Sequence, residues 1–179
     1  MATITSPGLV KPLFGLLYQK PADFERAWQR IESQFGRMDF CSEAFEFVET
    51  DYYEEEMGKD LRRRYLSLET LMVPDQLVHY KQLSNLWEEE FSVEGRRTVN
   101  IDPGYLGPAN LVLASSKNFS HRLYLGRGIY AEVTLIYAHG TYQDLPWTYP
   151  DYCHHKDVFI TIHSLFKKQL NLMRQEETG

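Results

Sequence analysis

Residues 9–36 have the sequence LVKPLFGLLYQKPADFERAWQRIESQFG. In this segment a buried strand leads directly into an amphipathic helix, which indicates the fold class. Residues 9–18 are mostly apolar, which is typical of a strand covered on both sides, and Pro12 predicts an edge position or a bulge. Apolar residues then recur at helical spacing. Pro21 suits the first turn of this helix and Gly36 its exit. The chain therefore begins as a strand followed by a helix.

The periods of the apolar residues predict the elements that follow. Residues 40–48 favour a strand, 51–58 an acidic turn, and 61–71 a second strand that returns as a hairpin. A second helix is predicted from Pro74, and residues 97–102 alternate as a further strand. The order β-α-β-β-α-β is that of ferredoxin-like domains, although parallel α/β arrangements share it.

A glycine-bounded loop predicts a further hairpin. Gly126-Arg127-Gly128 separates two alternating segments, and a three-residue loop would pair Tyr124 with Tyr130 and Arg122 with Glu132. This register places the following apolar residues on one face: Leu123, Leu125, Ile129, Ala131, Val133 and Leu135.

These patterns predict one α+β domain over residues 1–179, with a ferredoxin-like first half, an added β-hairpin and a C-terminal helix. Residues 108–117 suit either a short helix or an apolar strand. Residues 1–8 and 175–179 are expected to be loose ends.

The composition excludes several classes of protein. The 179 residues are 43% hydrophobic and 25% charged with a net charge of -6, which is globular and argues against general binding to duplex nucleic acid. Cys41 and Cys153 are far apart and lack CxxC spacing, which suits a reducing cytosol. The first eight residues do not resemble a signal peptide, and no apolar run is long enough to span a membrane. We therefore expect a cytoplasmic protein without a membrane span.

Familiar catalytic motifs are absent from the sequence. It contains no GxxxxGK[ST], HExxH or GxSxG pattern. Gly126, Gly128 and Ala131 match GxGxxA, but the residues that follow alternate like a strand, whereas a dinucleotide site needs a helix there.

The unusual feature is a polar cluster within an otherwise apolar region. The predicted hairpin places Arg122, Glu132 and Thr134 on one face, and Lys117 adds positive charge nearby. Such a face suits a small anionic ligand, either a phosphorylated metabolite or a nucleotide, with Glu132 as a base or metal ligand. The alternative is a cross-strand ion pair of Arg122 with Glu132 that has only a structural role.

Three neighbouring residues have both structural and functional interpretations. Asp102 suits a turn cap before Pro103-Gly104, or it coordinates a divalent cation or a ribose hydroxyl together with Asn100. His121 has opposite parity to Arg122, which favours a hydrogen-bonded core histidine over a catalytic base. If the site is catalytic, Glu132 and His121 are the candidates.

The loop TYQDLPWTYPDY, residues 141–152, is rich in aromatic residues and prolines. Trp147 and Tyr142 either stack on a base or sugar ring or close the edge of the core. Together with Tyr149 and Tyr152, Trp147 motivates a competing function, a non-catalytic module that binds a protein or RNA partner.

Three further sets of ionisable residues have modest interpretations. The spacing of His154, His155 and His163 lacks a one-turn pair for zinc, so solvent exposure is expected. Residues 62–64 are three arginines that alternate across a strand, and pairing with the glutamates of 54–56 explains them. Asp151 suits the cap of the last helix.

Four phrases identify a family resemblance: TDYYEEEMG (50–58), RRTVNIDPGYL (96–106), the segment 111–137 and LPWTYPDY (145–152). Over nearly its whole length the chain resembles a small bacterial and archaeal domain family of unknown function. The resemblance implies one compact domain in a prokaryotic cytosol. Some members are labelled GTP-binding, which implies as an alternative a GTP-binding protein without a P-loop, although Lys117-Asn118 does not match the base-reading motif of GTPases.

Overall fold

The computed structural model of the chain describes residues 3–178, without the side chains of residues 51, 177 and 178. The strands are β1 (Lys11–Tyr18), β2 (Met38–Cys41), β3 (Phe45–Glu46), β4 (Arg62–Leu68), β5 (Val99–Leu106), β6 (Asn110–Ser115), β7 (Leu123–Gly126), β8 (Ile129–Ala138) and β9 (Thr141–Asp144). The helices are α1 (Pro21–Phe35), α2 (Glu54–Met57), α3 (Leu77–Glu90), α4 (Pro150–His154) and α5 (Lys156–Thr178). Short 3-10 turns precede α2 and α3, at Asp51–Tyr53 and Pro74–Gln76.

The nine strands form one antiparallel sheet with the order β2-β4-β1-β5-β6-β8-β7, in which β3 pairs with β4 and β9 pairs with β8. Phe14 and Leu16 of β1 pack against α1 and α3 on one face. Leu13 packs with Phe159 and Ile162 of α5 in a second apolar cluster. Because neighbouring side chains of a strand point to opposite faces, the helices cover both sides of the sheet. The chain is therefore a mixed α and β protein, as predicted.

Strand β1 lies in the middle of the sheet, so the edge position predicted from Pro12 is wrong, whereas the irregular pairing that a bulge implies is present: Leu13 pairs with Ser67, but Val10 pairs with Met72. β4 pairs on one side of β1 and β5 pairs on the other. Val10 exchanges both backbone hydrogen bonds with Met72. Alternation directs the nitrogen of Pro12 to the same side, beside Leu68, the last residue of β4, and the regular pairing of β1 with β4 begins only at Leu13.

Most predicted elements are confirmed. The first helix begins at Pro21 and ends before Gly36, and the second follows the turn at Pro74. The acidic segment 51–58 forms a 3-10 turn and α2, and the strand predicted over 40–48 is divided into β2 and β3. The segment 108–117, which suited helix or strand, contains β6.

The β7–β8 hairpin has the predicted register only in part. Tyr124 pairs with Tyr130 as expected, but Gly126 rather than Leu125 pairs with Ile129. A bulge at Leu125 therefore leaves a two-residue loop, and both Leu123 and Leu125 are exposed instead of facing the core.

A second bulge in β8 changes the direction of its side chains. Leu111 pairs with Leu135 and Val112 pairs with Val133, so Thr134 has no partner in the register. Val133 packs on the α1 and α3 side, whereas Leu135 belongs to the α5 side. The prediction that these two residues share a face is therefore wrong.

Some elements were not predicted. β9 lies within the segment 141–152 that was expected to be a loop, and α4 begins in it. Helix α5 includes residues 175–178, where a loose end was predicted, whereas residues 3–9 contain no helix or strand. The remaining end positions, residues 1, 2 and 179, lie outside the described residues. No helix in the described part of the chain is long and apolar enough to cross a membrane.

Candidate functional site

The sheet splits between β5 and β6. Residues 104–106 pair with residues 111–113, and the pairing does not continue toward the start of β5. Ile101 directs its backbone N–H and C=O away from β1, and alternation directs the nitrogen of Pro103 the same way. Because proline has no N–H, Pro103 cannot extend the ladder to β6. The two strands separate at this residue.

Helix α3 supplies the hydrogen bonds that β6 does not make. Lys81 Nζ donates to Ile101 O at 3.1 Å, and Glu88 Oε1 accepts from Ile101 N at 2.7 Å. Both side chains belong to residues that are only 6% exposed. Burial raises the pKa of Glu88, and Arg97 Nη1 lies 3.3 Å from Glu88 Oε2. The apolar spacing of α3 gave no indication that it also buries two charges.

A cavity of about 610 Å³ occupies the split. Its charged lining residues are Glu49, Arg63, Lys81, Glu88, Arg97, Asp102, Lys117, Arg122, Glu132 and Asp151, and its tyrosines are Tyr52, Tyr53, Tyr149 and Tyr152. These residues come from the sheet, from α3, from the segment before α2, from the β6–β7 loop and from the start of α4. We refer to this cavity as the cleft.

The cleft brings together five of the candidate site residues from the sequence: Asn100, Asp102, Lys117, Arg122 and Glu132. Thr134 does not line it, because its side chain is buried and donates to Glu132 Oε1 at 3.3 Å. His121 and Trp147 also lie outside the lining: His121 contacts the carboxylate of Glu132, and Trp147 stacks on His121.

Arg122 is held by several internal bonds. Its Nε donates to Glu132 Oε2 at 2.8 Å, and its Nη1 donates to Ser115 Oγ and to Lys117 O, both at 2.9 Å. Its Nη2 donates to the Tyr149 hydroxyl at 2.7 Å. Four of the five N–H groups of this guanidinium are therefore occupied, and one on Nη2 is left for a ligand.

His121 shares the acceptor of Arg122. Its Nε2 lies 2.9 Å from Glu132 Oε2, and its ring stacks on Trp147 with centroids 4.8 Å apart. His121 lies in a turn before β7, so the strand parity from which a core histidine was predicted does not apply to it. Trp147 Nε1 donates to Val133 O at 2.8 Å. The Trp147 ring is thereby oriented against a histidine of the protein.

Asp102 lies within β5, so the predicted turn cap before Pro103-Gly104 is wrong. Its Oδ2 accepts from Asn100 Nδ2 at 2.7 Å and from Arg63 Nη1 at 3.2 Å. Its Oδ1 lies 3.9 Å from Lys81 Nζ, which is too long for a hydrogen bond. Asn100 and Asp102 alternate with Ile101, which packs toward α1 and α3, so their side chains point to the other face.

Arg63 and Asp151 are site residues that the sequence interpretation missed. Arg63 pairs with Asp102 and with Asp151 rather than with the glutamates of 54–56, and Arg97 is the residue that binds Glu56. Asp151 makes no helix cap; it accepts from the Tyr65 hydroxyl at 3.3 Å, and burial raises its pKa. Strand alternation could have indicated this role of Arg63, because it places Arg63 on the same face of the sheet as Tyr65, which is buried.

The histidine and aromatic predictions need two corrections. His163 is buried rather than exposed, and the hydroxyl of Tyr142 lies 2.9 Å from its Nδ1. Tyr142 and Tyr152 are buried as well, so neither is an exposed ring of the aromatic loop. Both rings are instead part of the core on the α5 side.

The proposed metal ligands lie apart from any cluster of suitable donors. Asp102 and Glu132 both line the cleft, but each accepts from an arginine, Arg63 and Arg122 respectively. Among the described residues, no group of three or more His, Cys, Asp or Glu side chains is placed to hold a metal ion.

Comparison with known proteins identifies a family but no activity. The family model described as Domain of unknown function (DUF4416) matches residues 9–166. No curated protein and no solved structure matches the chain.

Proposed function

Because the chain belongs to the DUF4416 family, a domain of unknown function, we propose a function from the cleft itself: it binds a small anionic ligand, either a phosphorylated metabolite or a nucleotide. The observation that carries this proposal is the charge at Lys117. Among the described side chains, each of the other four basic residues of the cleft faces a carboxylate: Arg63, Lys81, Arg97 and Arg122. Lys117 has no such partner there.

Lys117 is placed to bind an anion. Its Nζ donates to the Tyr52 hydroxyl at 3.0 Å and lies 4.9 Å from the centre of that ring. An ammonium has three N–H donors, so two donors of Lys117 remain for a ligand. Arg122 Nη1 donates to the backbone oxygen of Lys117, and the same guanidinium has one free N–H on Nη2. A phosphate group accepts several charge-assisted bonds of this kind.

Thermal unfolding of the intact protein with added ligands tests the proposal. Inorganic phosphate, sugar phosphates and nucleotides including GTP are each tested with and without Mg²⁺, because a ligand of the native state raises Tm. Lys117→Ala should remove the Tm shift. Lys168→Ala, which removes the same charge from the exposed surface of α5, should retain it. The proposal is wrong if no anion raises Tm, or if the Lys117→Ala shift equals that of the unmodified protein.

The strand order supports a finer description of the fold. We infer that the first half is ferredoxin-like, because β2, β4, β1 and β5 are neighbours in that order and the two intervening helices, α1 and α3, pack on one face. We also propose a cytosolic location, which the free thiols of Cys41 and Cys153 support.

A second candidate function is a module that binds a protein or single-stranded RNA. The observation that favours it is the exposure of Trp147 (37%) and Tyr149 (42%) in the loop before α4. Stacking of RNA bases on these rings predicts that Trp147→Ala abolishes binding of a labelled single-stranded oligonucleotide without unfolding the protein. Unchanged fluorescence anisotropy on mixing that oligonucleotide with the unmodified protein would exclude RNA as the partner.

A further inference from the structure

We propose that the neutral part of the ligand is a polyol, such as a sugar, and that one of its hydroxyl groups bridges Lys81 and Asp102 inside the cleft. This inference rests on the proposed function, because the anionic group of the same ligand lies at Lys117. The ligand class is therefore a phosphorylated polyol.

The spacing of Lys81 and Asp102 carries the first step. Lys81 Nζ and Asp102 Oδ1 are 3.9 Å apart, so they do not bond to each other directly. A single oxygen between them would lie at about 2.8 Å from both, which is the ordinary hydrogen-bond distance. The ammonium only donates and the carboxylate only accepts, so the bridging group must accept one bond and donate another. A hydroxyl meets this requirement, whereas a phosphate oxygen would be repelled by the carboxylate.

Two more groups that can both donate and accept line the cleft. The side chains of Asn85 and Tyr53 make no hydrogen bond among the described residues, and both belong to the lining. An amide and a phenol each donate and accept, which suits neutral hydroxyl groups better than an anion. Burial and the nearby Asp102 raise the pKa of Tyr53, so its hydroxyl keeps its proton at neutral pH.

The charged groups around these two residues are already neutralised. Arg97 binds Glu56 with Nε and Nη2, and its Nη1 reaches Glu88 and Asn100. Arg63 lies between Asp102 and Asp151. A second anionic group in this part of the cleft would meet carboxylates without gaining a free cation, so the inner contacts select for neutral polar groups.

Calorimetric titration of the intact protein with three probes tests this inference. Inorganic phosphate measures the anion site alone, pentyl phosphate adds a carbon chain without hydroxyls, and ribose 5-phosphate adds hydroxyls. Ribose 5-phosphate should bind at least about tenfold tighter than pentyl phosphate, since each added hydrogen bond contributes roughly threefold to tenfold in affinity. Lys117→Ala should weaken the binding of both phosphate esters.

Variants of the inner contacts separate binding from folding. Asp102→Asn should reduce the preference for ribose 5-phosphate over pentyl phosphate about tenfold, but it also alters the pairing of Arg63. Asn85→Ala breaks no hydrogen bond among the described residues and should reduce the same preference about threefold to tenfold. Asn171→Ala, on the exposed surface of α5, is the matched control and should leave it unchanged.

The outcomes distinguish the two proposals. Equal affinities for pentyl phosphate and ribose 5-phosphate would overturn the polyol assignment and leave the anion site in place. A preference for ribose 5-phosphate that survives both Asp102→Asn and Asn85→Ala would also overturn it. If none of the three phosphates binds, the anionic-ligand function is wrong, and the polyol inference that depends on it is wrong as well.

Discussion

Arg63 Nε lies 2.9 Å from Asp151 Oδ2, and this contact ties the sheet to α4. Both side chains are only 5% exposed. The same guanidinium reaches Asp102 from its Nη1 at 3.2 Å, so one buried cation balances two carboxylates that come from separate parts of the chain. Arg63 thereby fixes the position of α4 relative to β5 at the cleft.

Replacing this cation should destabilise the protein. We expect Arg63→Met to lower the free energy of unfolding by about 3–5 kcal/mol, because the buried carboxylate of Asp151 loses its cation and the partly buried Asp102 loses one of its partners. Urea unfolding measures the change. Arg62→Met, an exposed neighbour on the same strand, should change it by less than about 0.5 kcal/mol. Equal effects of the two substitutions would show that the pairing of Arg63 does not contribute to stability.

Because the sheet splits between β5 and β6, we expect loss of the amino group of Lys81 on α3 to lower the free energy of unfolding. Lys81→Met should lower the free energy of unfolding by about 1–3 kcal/mol, because the carbonyl of Ile101 is then buried without a donor. Lys59→Met, at an exposed position before β4, is the control. A Lys81→Met protein as stable as the control in urea would mean that Ile101 finds another donor, such as water in the cleft.

At Gly104 the neighbouring strand β6 leaves no room for a side chain. A Cβ added at this residue would lie 2.5 Å from Val112 O and 2.7 Å from Leu113 Cδ2. Since the first contact is with backbone, Gly104→Ala should force the strands apart and cost about 1–3 kcal/mol in denaturant unfolding. Gly8→Ala, where a Cβ meets nothing within 4 Å, should have little effect. A stable Gly104→Ala protein would contradict the close pairing next to the split.

His163 predicts a loss of stability in mild acid. Burial lowers the pKa of His163 to about 4 from its ordinary 6.5, with Lys167 contributing. As the pH falls, the unfolded chain binds a proton at this histidine at a higher pH than the folded protein does. The contribution of the neutral His163 to the free energy of unfolding is therefore complete above pH 6.5 and is lost as the pH falls toward 4. The loss amounts to about 3 kcal/mol at most, at about 1.4 kcal/mol for each pKa unit.

The free energy of unfolding measured in urea between pH 7 and pH 4 tests this dependence. His163→Gln keeps an acceptor for the Tyr142 hydroxyl but does not titrate, so its stability should fall less steeply over this interval. Identical pH slopes for the two proteins would assign the acid sensitivity to other groups. His154→Gln, at an exposed position, is the control and should retain the original slope.

Local patterns of the sequence were sufficient for most helices and strands. The apolar spacing after Pro21 and after Pro74 predicted α1 and α3, because a helix buries one face through residues that are close in the chain. The hairpin register also predicted that Arg122 and Glu132 meet, and their atoms lie 2.8 Å apart. Both inferences depend on residues separated by a short length of chain.

The bulges and the central position of β1 could not be derived in this way. A bulge at Leu125 or Thr134 depends on how the neighbouring strand is registered, and a one-residue shift reverses every side chain beyond it. Pro12 lies in a central strand at the point where the regular pairing of β1 with β4 stops and the register shifts to Val10 and Met72. These features belong to pairs of strands, whereas the sequence pattern describes each strand alone.

The α+β class, the principal helices and the polar character of the segment from Asn100 to Glu132 follow from the sequence, because periodicity and composition are local properties. That Lys81, Arg63 and Asp151 join this segment around one cleft depends on how the chain packs in three dimensions. Asp151 and Arg63 are far apart in the chain and meet because α4 packs against the centre of the sheet. The physical reason is that a buried charge is stable only where a partner is brought to it, and the partner is chosen by the packing of whole elements rather than by neighbours in sequence.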